Sequence, residues 1–294
     1  MNPKTVFDRK IRPFLFLDAV PDDNPMTVFL GGQPGAGKTR AQHFILEAYS
    51  PSTITPIVGD DFRQYHPDYD WLVVNSPIHM PDATAKLAGL WTGMAVDYAD
   101  THGYGCIIEG TWRNAETVLN EAERAKRLGR GTHAVLVATP ADVSLLGILS
   151  RFYRDMEEGR RARWTPPTAY EITIRNLPDT VDQVASSPLF DRYTVQTRES
   201  VILYDGTDGN AFRQAWRNGF YRPLSDHEQS FMESELADLA DLHQRFTPDV
   251  ADAAGLIRRL REGLMFDAFE DMPVERHPQP REPKGTPRGG QWTH

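Results

Sequence analysis

Residues 32–39 read Gly-Gln-Pro-Gly-Ala-Gly-Lys-Thr, a full match to GxxxxGK[ST]. An apolar run, MTVFLGG at 26–32, leads into them, and from Gly37 to about Tyr49 the composition favours a helix with Phe44, Ile45 and Ala48 along one side. This predicts strand, glycine loop, helix. Glycines let consecutive backbone N–H groups turn inward around phosphate oxygens, Lys38 adds a point charge, and Thr39 offers a hydroxyl to Mg²⁺. Gly32, Gln33, Pro34, Gly35, Ala36, Gly37, Lys38 and Thr39 are therefore the expected triphosphate-binding residues, but such loops serve motors, switches and kinases alike.

Further apolar runs follow: ITPIV at 54–58, ending in Gly59-Asp60-Asp61; CIIEG at 106–110, ending in Glu109; HAVLVAT at 133–139; then YTVQT at 193–197 and SVILYD at 200–205. Short strands alternating with helical segments predict a mostly parallel sheet covered on both faces, a three-layer α/β/α fold with ligands beyond the carboxyl ends of the strands. Leu145, Leu149, Phe152 and Met156 recur at helical spacing and predict an amphipathic helix over 141–158, leading into the basic GRRARWTPP.

We expect a kinase-like domain over 1–224, a helical appendage over 225–264, marked by Met232, Leu236, Leu239, His243 and Phe246, and a disordered tail over 265–294. The end of that tail, RHPQPREPKGTPRGGQWTH, is rich in Pro, Gly and charge, with Trp292 its only candidate anchor. The 294 residues, 40% of them apolar, suffice for a sizeable core. A net charge of −9 argues against nucleic acid or an anionic membrane as partner. Cys106, the single cysteine, allows no intrachain disulfide, and the sequence has neither a signal-like start nor a long apolar span, so a soluble cytoplasmic protein is expected.

A switch GTPase should carry an NKxD-like base-reading segment, and none is present. A motor should carry a strand ending in Asp for Mg²⁺, often Asp-Glu, whereas CIIEG ends in Glu109 alone. A small-molecule kinase needs an acceptor-side base and arginines closing over the phosphoryl group. Asp60 suits the first role: its strand is expected to neighbour the first one, as in many P-loop kinases, so that it would face Lys38 across the γ-phosphate; it could equally cap a helix ahead of Phe62. Arg151, Arg154, Arg160, Arg161 and Arg163 suit the second, though a charge run is usually a solvated face.

Five blocks in this order, FLGGQPGAGKT, GDDFRQYHP, GYGCIIEGTWR, the segment from Arg151 to Pro166, and ITIRNLP, give residues 26–205 a sequence that resembles the zeta toxins, P-loop kinases of toxin–antitoxin systems. The resemblance implies ATP- or GTP-dependent, Mg²⁺-requiring phosphorylation of UDP-N-acetylglucosamine at its 3′-hydroxyl, and an antitoxin as partner. It further implies Asp60 as base, Lys38 and Thr39 on phosphates and Mg²⁺, and Glu109 near the metal or the sugar nucleotide. Thr111 and Arg113 would line the acceptor side, with Arg151 and Arg163 as transition-state arginines. His66 lies in a matching block and is expected to be structural.

The chain departs from the pattern between Trp71 and Tyr104, where the family builds part of its sugar-nucleotide pocket, and the Arg151–Arg163 spacing is one residue short. Trp91 and Trp112 could stack on a uracil or sugar, although aromatic residues on helical stretches are more often core. Other acceptors, including NAD or a nucleoside, would use the same catalytic blocks. A nucleotide-gated interaction module that phosphorylates no acceptor is the alternative from another class.

Overall fold

The computed structural model describes residues 2–263. Strands β1 (Met26–Gly31), β2 (Ile54–Val58), β3 (Gly105–Glu109), β4 (Gly131–Ala138), β5 (Arg192–Thr197) and β6 (Ile202–Gly206) form one sheet in the order β2-β3-β1-β4-β5-β6. All neighbours run parallel except β6, which closes the edge antiparallel to β5. The inner strands are apolar along their length because helices cover both faces.

The crossovers are α3 (Lys38–Ala48); a 3₁₀ helix (Gly59–Tyr65) with α4 (Tyr69–Asn75) and α5 (Met80–Thr101); α6 (Ala115–Arg127); and α7 (Ala141–Glu157) with α8 (Pro167–Ala185). After β6 come α9 (Gly209–Phe220), α10 (Asp226–Phe246) and α11 (Ala251–Glu262). Val28, Leu30, Ile107, Val135 and Val137 point to one face of the sheet and pack with Ala41 and Ile45 of α3. Phe29, Ile108, Ala134 and Leu136 point to the other and join a larger core with Trp91, Ala122, Leu177 and Phe212. That core is continuous with Met232, Leu236 and Leu239 of α10 and Leu256 and Leu260 of α11, so the C-terminal pair packs into the main body. A Ser225–Glu228 capping box starts α10, and α11 begins at Ala251 after a short turn.

Two short N-terminal helices, α1 (Pro3–Val6) and α2 (Arg12–Leu15), flank a π-helical turn (Phe7–Ile11) and were not foreseen. They bury Val6, Phe7 and Ile11, and the Trp91 indole donates to Pro3 O at 3.0 Å. Trp91 is thus core, not a stacking platform. So is Trp112, 4% exposed, whose ring lies over Gly31. The expected strand adjacency fails: β2 does not neighbour β1, because β3 lies between them. At a strand spacing of about 4.8 Å this sets the end of β2 roughly 10 Å from that of β1. No helix among the described residues is long and apolar enough to cross a membrane. The expected tail over 265–294, with Trp292, lies outside the described residues.

Candidate active site

The glycine loop joins β1 to α3 at the carboxyl edge of the sheet. Gly35 (φ +77°) and Gly37 (φ +101°) hold left-handed backbone that L side chains rarely adopt. Each is also crowded: a Cβ on Gly35 would lie 2.1 Å from Ser144 O, and one on Gly37 2.9 Å from Arg198 Cγ. The Gln33 side chain turns away into the core, where Nε2 donates to Thr139 O at 2.6 Å, so only its backbone can serve a phosphate. Ala36 is likewise buried, its carbonyl accepting from Thr139 Oγ1 at 2.8 Å. Gly32 and Pro34 complete the loop, and Thr39 is exposed at the start of α3. Lys38 Nζ donates to Gly32 O at 2.9 Å and Gln33 O at 3.2 Å, and lies 4.0 Å from Glu109 Oε1.

Glu109 ends β3 directly beside β1, and its side chain is 18% exposed. Burial raises its carboxyl above the ordinary range; Lys38 opposes this, and the nearby Asp60 and Asp61 add to it. Burial lowers Lys38 in turn, against the pull of Glu109 and Asp60. The loop after β3 is folded tightly: Gly110 N donates to Leu30 O at 2.9 Å, Trp112 has φ +57°, and Asn114 caps α6. Thr111 and Arg113 sit half-buried on this loop, Arg113 O accepting from Asn176 Nδ2 at 3.1 Å.

Asp60 does not cap a helix. It lies in the first turn of the 3₁₀ helix, where Arg63 Nε donates to its Oδ1 at 2.7 Å and the side chain keeps 62% of its surface open to the cleft. Desolvation by the surrounding protein works to raise the carboxyl, but Arg63, Arg163 and Lys38 outweigh it and hold Asp60 below the ordinary range. Asp61 is shifted the opposite way: desolvation raises it despite Arg163, whose Nη1 stands 3.7 Å from Asp61 Oδ1. His66 accepts from Asp68 N at 3.2 Å, a local structural bond.

The arginines sort into two groups. Arg151, on α7, and Arg163, in the coil before α8, share the field of Asp60; desolvation and then the like charge of Arg163 push Arg151 down. Arg154 turns to Glu235 at 2.6 Å, Arg160 to Asp155 at 2.8 Å, and Arg161 to Asp70 at 2.7 Å with its guanidinium over the Tyr69 ring. Arg151, Asp155, Gly159, Arg160, Arg161 and Arg163 line a cavity of about 600 Å³.

Two residues of the site went unread in the sequence. Arg63 fixes Asp60 and at once donates from Nη1 to Pro81 O (2.5 Å) and Thr84 Oγ1 (2.8 Å), tying the carboxylate to α5. The Asp-x-x-Arg spacing in GDDFR carries that signal. Arg198, on the β5–β6 turn, donates to Gly35 O at 3.0 Å and packs on Gly37, bracing the glycine loop from outside. No motif announces it.

Charged groups from separate elements thus converge at one edge of the sheet: Lys38 from the loop, Asp60 and Asp61 after β2, Glu109 at the end of β3, and Arg151 and Arg163 from the segment after β4. The chain is similar to known proteins in sequence and fold. The chain is 30% identical over 189 residues to Toxin zeta of Streptococcus pyogenes, across 63% of this chain and 65% of that protein. It is 29% identical over 186 residues to Toxin PezT of Streptococcus pneumoniae serotype 4 (strain ATCC BAA-334 / TIGR4), across 63% of this chain and 73% of that one. A solved chain from the PezAT chromosomal toxin–antitoxin system of Streptococcus pneumoniae has the same fold, with a TM-score of 0.68 at 24% identity over 82% of this chain and 96% of its own length. Since the Zeta toxin family model also matches residues 16–208, well over half of the sequence, the chain belongs to the zeta toxin family.

Proposed function

We propose that the protein is a kinase that moves the γ-phosphoryl group of ATP or GTP to a hydroxyl of a sugar nucleotide, the 3′-hydroxyl of UDP-N-acetylglucosamine being the favoured acceptor. The observation that carries this reading is the placing of the Asp60 carboxylate, held by Arg63 at 2.7 Å, within the field of the loop lysine Lys38 and of Arg151 and Arg163, which suits an acceptor-side base opposite the phosphates. Loop backbone N–H groups and Lys38 hold the phosphates. The acceptor oxygen attacks the γ-phosphorus in line, its proton passes to the Asp60 carboxylate, and the bond to the bridging oxygen breaks with the electron pair leaving on the diphosphate. Because the transition state is loose, the proton moves late, and a carboxylate below the ordinary range still suffices to orient the hydroxyl. Arg151 and Arg163 bear on the equatorial oxygens, where charge accumulates.

The Thr39 hydroxyl and the Glu109 carboxylate are hard oxygen donors beside the loop lysine, a set that suits Mg²⁺ arriving with the nucleotide; the ion would neutralise phosphate charge. Thr111 and Arg113, on the loop after Glu109, would line the acceptor. Relatives named as toxins support a toxic outcome, for which depletion of a cell-wall precursor would be the route; the toxin–antitoxin system of the solved neighbour supports an antitoxin as partner.

Incubation with γ-labelled ATP and a panel of UDP-sugars, NAD and nucleosides tests the reading. Labelled UDP-N-acetylglucosamine is expected. Label on NAD or a nucleoside instead would move the acceptor, and tight ATP binding with no labelled acceptor would favour a nucleotide-gated module.

A further inference from the structure

We infer that Glu235, on the C-terminal helix α10, is a positioning residue for Arg151, which gives the chain beyond residue 208 a part in phosphoryl transfer. The inference rests on the kinase reading above for its kinetic consequence, but its mechanical content stands on geometry alone. Ser150 Oγ donates to Glu235 Oε2 at 2.9 Å, and Arg154 Nη2 donates to Glu235 Oε1 at 2.6 Å. Both carboxylate oxygens are therefore committed to α7, one to the residue before Arg151 and one to the residue three after it. Ser150 and Arg154 are four residues apart and share a helix face, so Glu235 grips one full turn, while Arg151, on the adjoining face, lies within the field of Asp60, Glu109 and Lys38.

Glu235 is itself only 8% exposed. Acids almost never reach such burial unless paired, and here both partners lie on the helix that carries the arginine. The grip is reinforced from about two turns further along α10, where Tyr153 OH, on the same turn of α7, meets His243 Nδ1 at 3.1 Å and Oγ1 of the capping Thr247 at 2.8 Å. Among the described residues Arg151 shows no comparable hydrogen bond to α7, only the field of Asp155. Its guanidinium direction follows from the rotation and axial register of the helix, and those are what the two bonds to Glu235 fix. A slip on the order of 1 Å at a transition-state contact costs up to about 100-fold in rate without weakening substrate binding to match.

Glu235→Gln keeps the shape and removes the charge, and Ser150→Ala removes one of the two bonds; Arg245→Ala, which breaks a 3.5 Å surface ion pair to Glu157 at the same interface, is the control. In the full-length protein, Glu235→Gln is expected to lower kcat about 10-fold with KM and Kd for ATP within about 2-fold of wild type, Ser150→Ala to do the same more weakly, and the control to change neither. Hydrogen exchange of the amides of residues 148–155 reads the same brace without any acceptor and is expected to quicken in Glu235→Gln. Wild-type kcat in folded Glu235→Gln, a loss shared equally by ATP binding, or unchanged exchange over 148–155 would each overturn the inference. A wild-type protein that transfers no phosphoryl group would instead overturn the kinase reading, and the exchange measurement would still decide whether Glu235 holds α7.

Discussion

Arg63 Nε donates to Asp60 Oδ1 across 2.7 Å, while the same guanidinium holds Pro81 O and Thr84 Oγ1 of α5. The carboxylate proposed as base is thereby oriented, and held below the ordinary range, by a cation that is itself anchored. Removing that cation makes the Asp60 proton harder to lose, so the pKa rises and the acid limb of the rate profile moves to higher pH. Arg63→Met is expected to shift that limb upward by about 1 unit. A pH profile of kcat checks this; an unmoved limb would mean that Asp60 ionisation does not govern the rate.

The separation of the arginines gives a second expectation. Arg163→Ala should lower kcat by about 100-fold or more, the usual scale for losing one group that stabilises transition-state charge. Arg161→Ala should leave transfer unchanged, because its guanidinium is engaged by Asp70 and the Tyr69 ring. Initial rates at saturating ATP separate the two, and equal losses would return the whole segment to a nonspecific basic face.

Much of this site could be read from the chain because its parts are local. An apolar run ending in glycine or acid marks a strand and what it delivers, and Lys38, Asp60 and Glu109 each follow such a run directly. Lateral strand order is not local: nothing in ITPIV or CIIEG says which lies beside β1, so Asp60 was expected one strand too near. Nor can a charge run say which arginines are free. The partners that remove Arg154 and Arg161 from the site, Glu235 and Asp70, lie about 80 or more residues away along the chain. Arg198 was illegible for the same reason, since its role arises where the β5–β6 turn meets the glycine loop.

Trp112 occupies space that a stacking residue would leave open. A Cβ on Gly31 would lie 2.4 Å from its ring, so Gly31→Ala forces either the ring or β1 to move. Overpacking of this kind costs about 1–3 kcal/mol. Chemical denaturation monitored by tryptophan fluorescence should show that loss, and a fully stable variant would contradict the tight seating of Trp112.

His133 sets a pH dependence of stability. It is buried between Tyr49 OH (2.7 Å from Nδ1) and Thr194 Oγ1 (2.8 Å from Nε2), and burial, aided by Arg192, depresses it to about 3. The folded form resists protonation while the unfolded form takes a proton near its ordinary value of 6.5. The stabilisation is therefore complete above the unfolded value and drains away as pH falls from there toward 3. Between pH 7 and pH 5 the wild type should lose about 2 kcal/mol more than His133→Gln. Urea denaturation at the two pH values measures the difference, and equal losses would mean that His133 is not held neutral.

Transfer to a hydroxyl under the direction of Asp60 is tested most directly by pairing product formation with nucleotide binding. With γ-labelled ATP and UDP-N-acetylglucosamine, the wild type should give labelled sugar nucleotide. Asp60→Ala should bind ATP as tightly and give none, and Lys38→Ala should lose both. Wild-type product yield from Asp60→Ala would contradict the account.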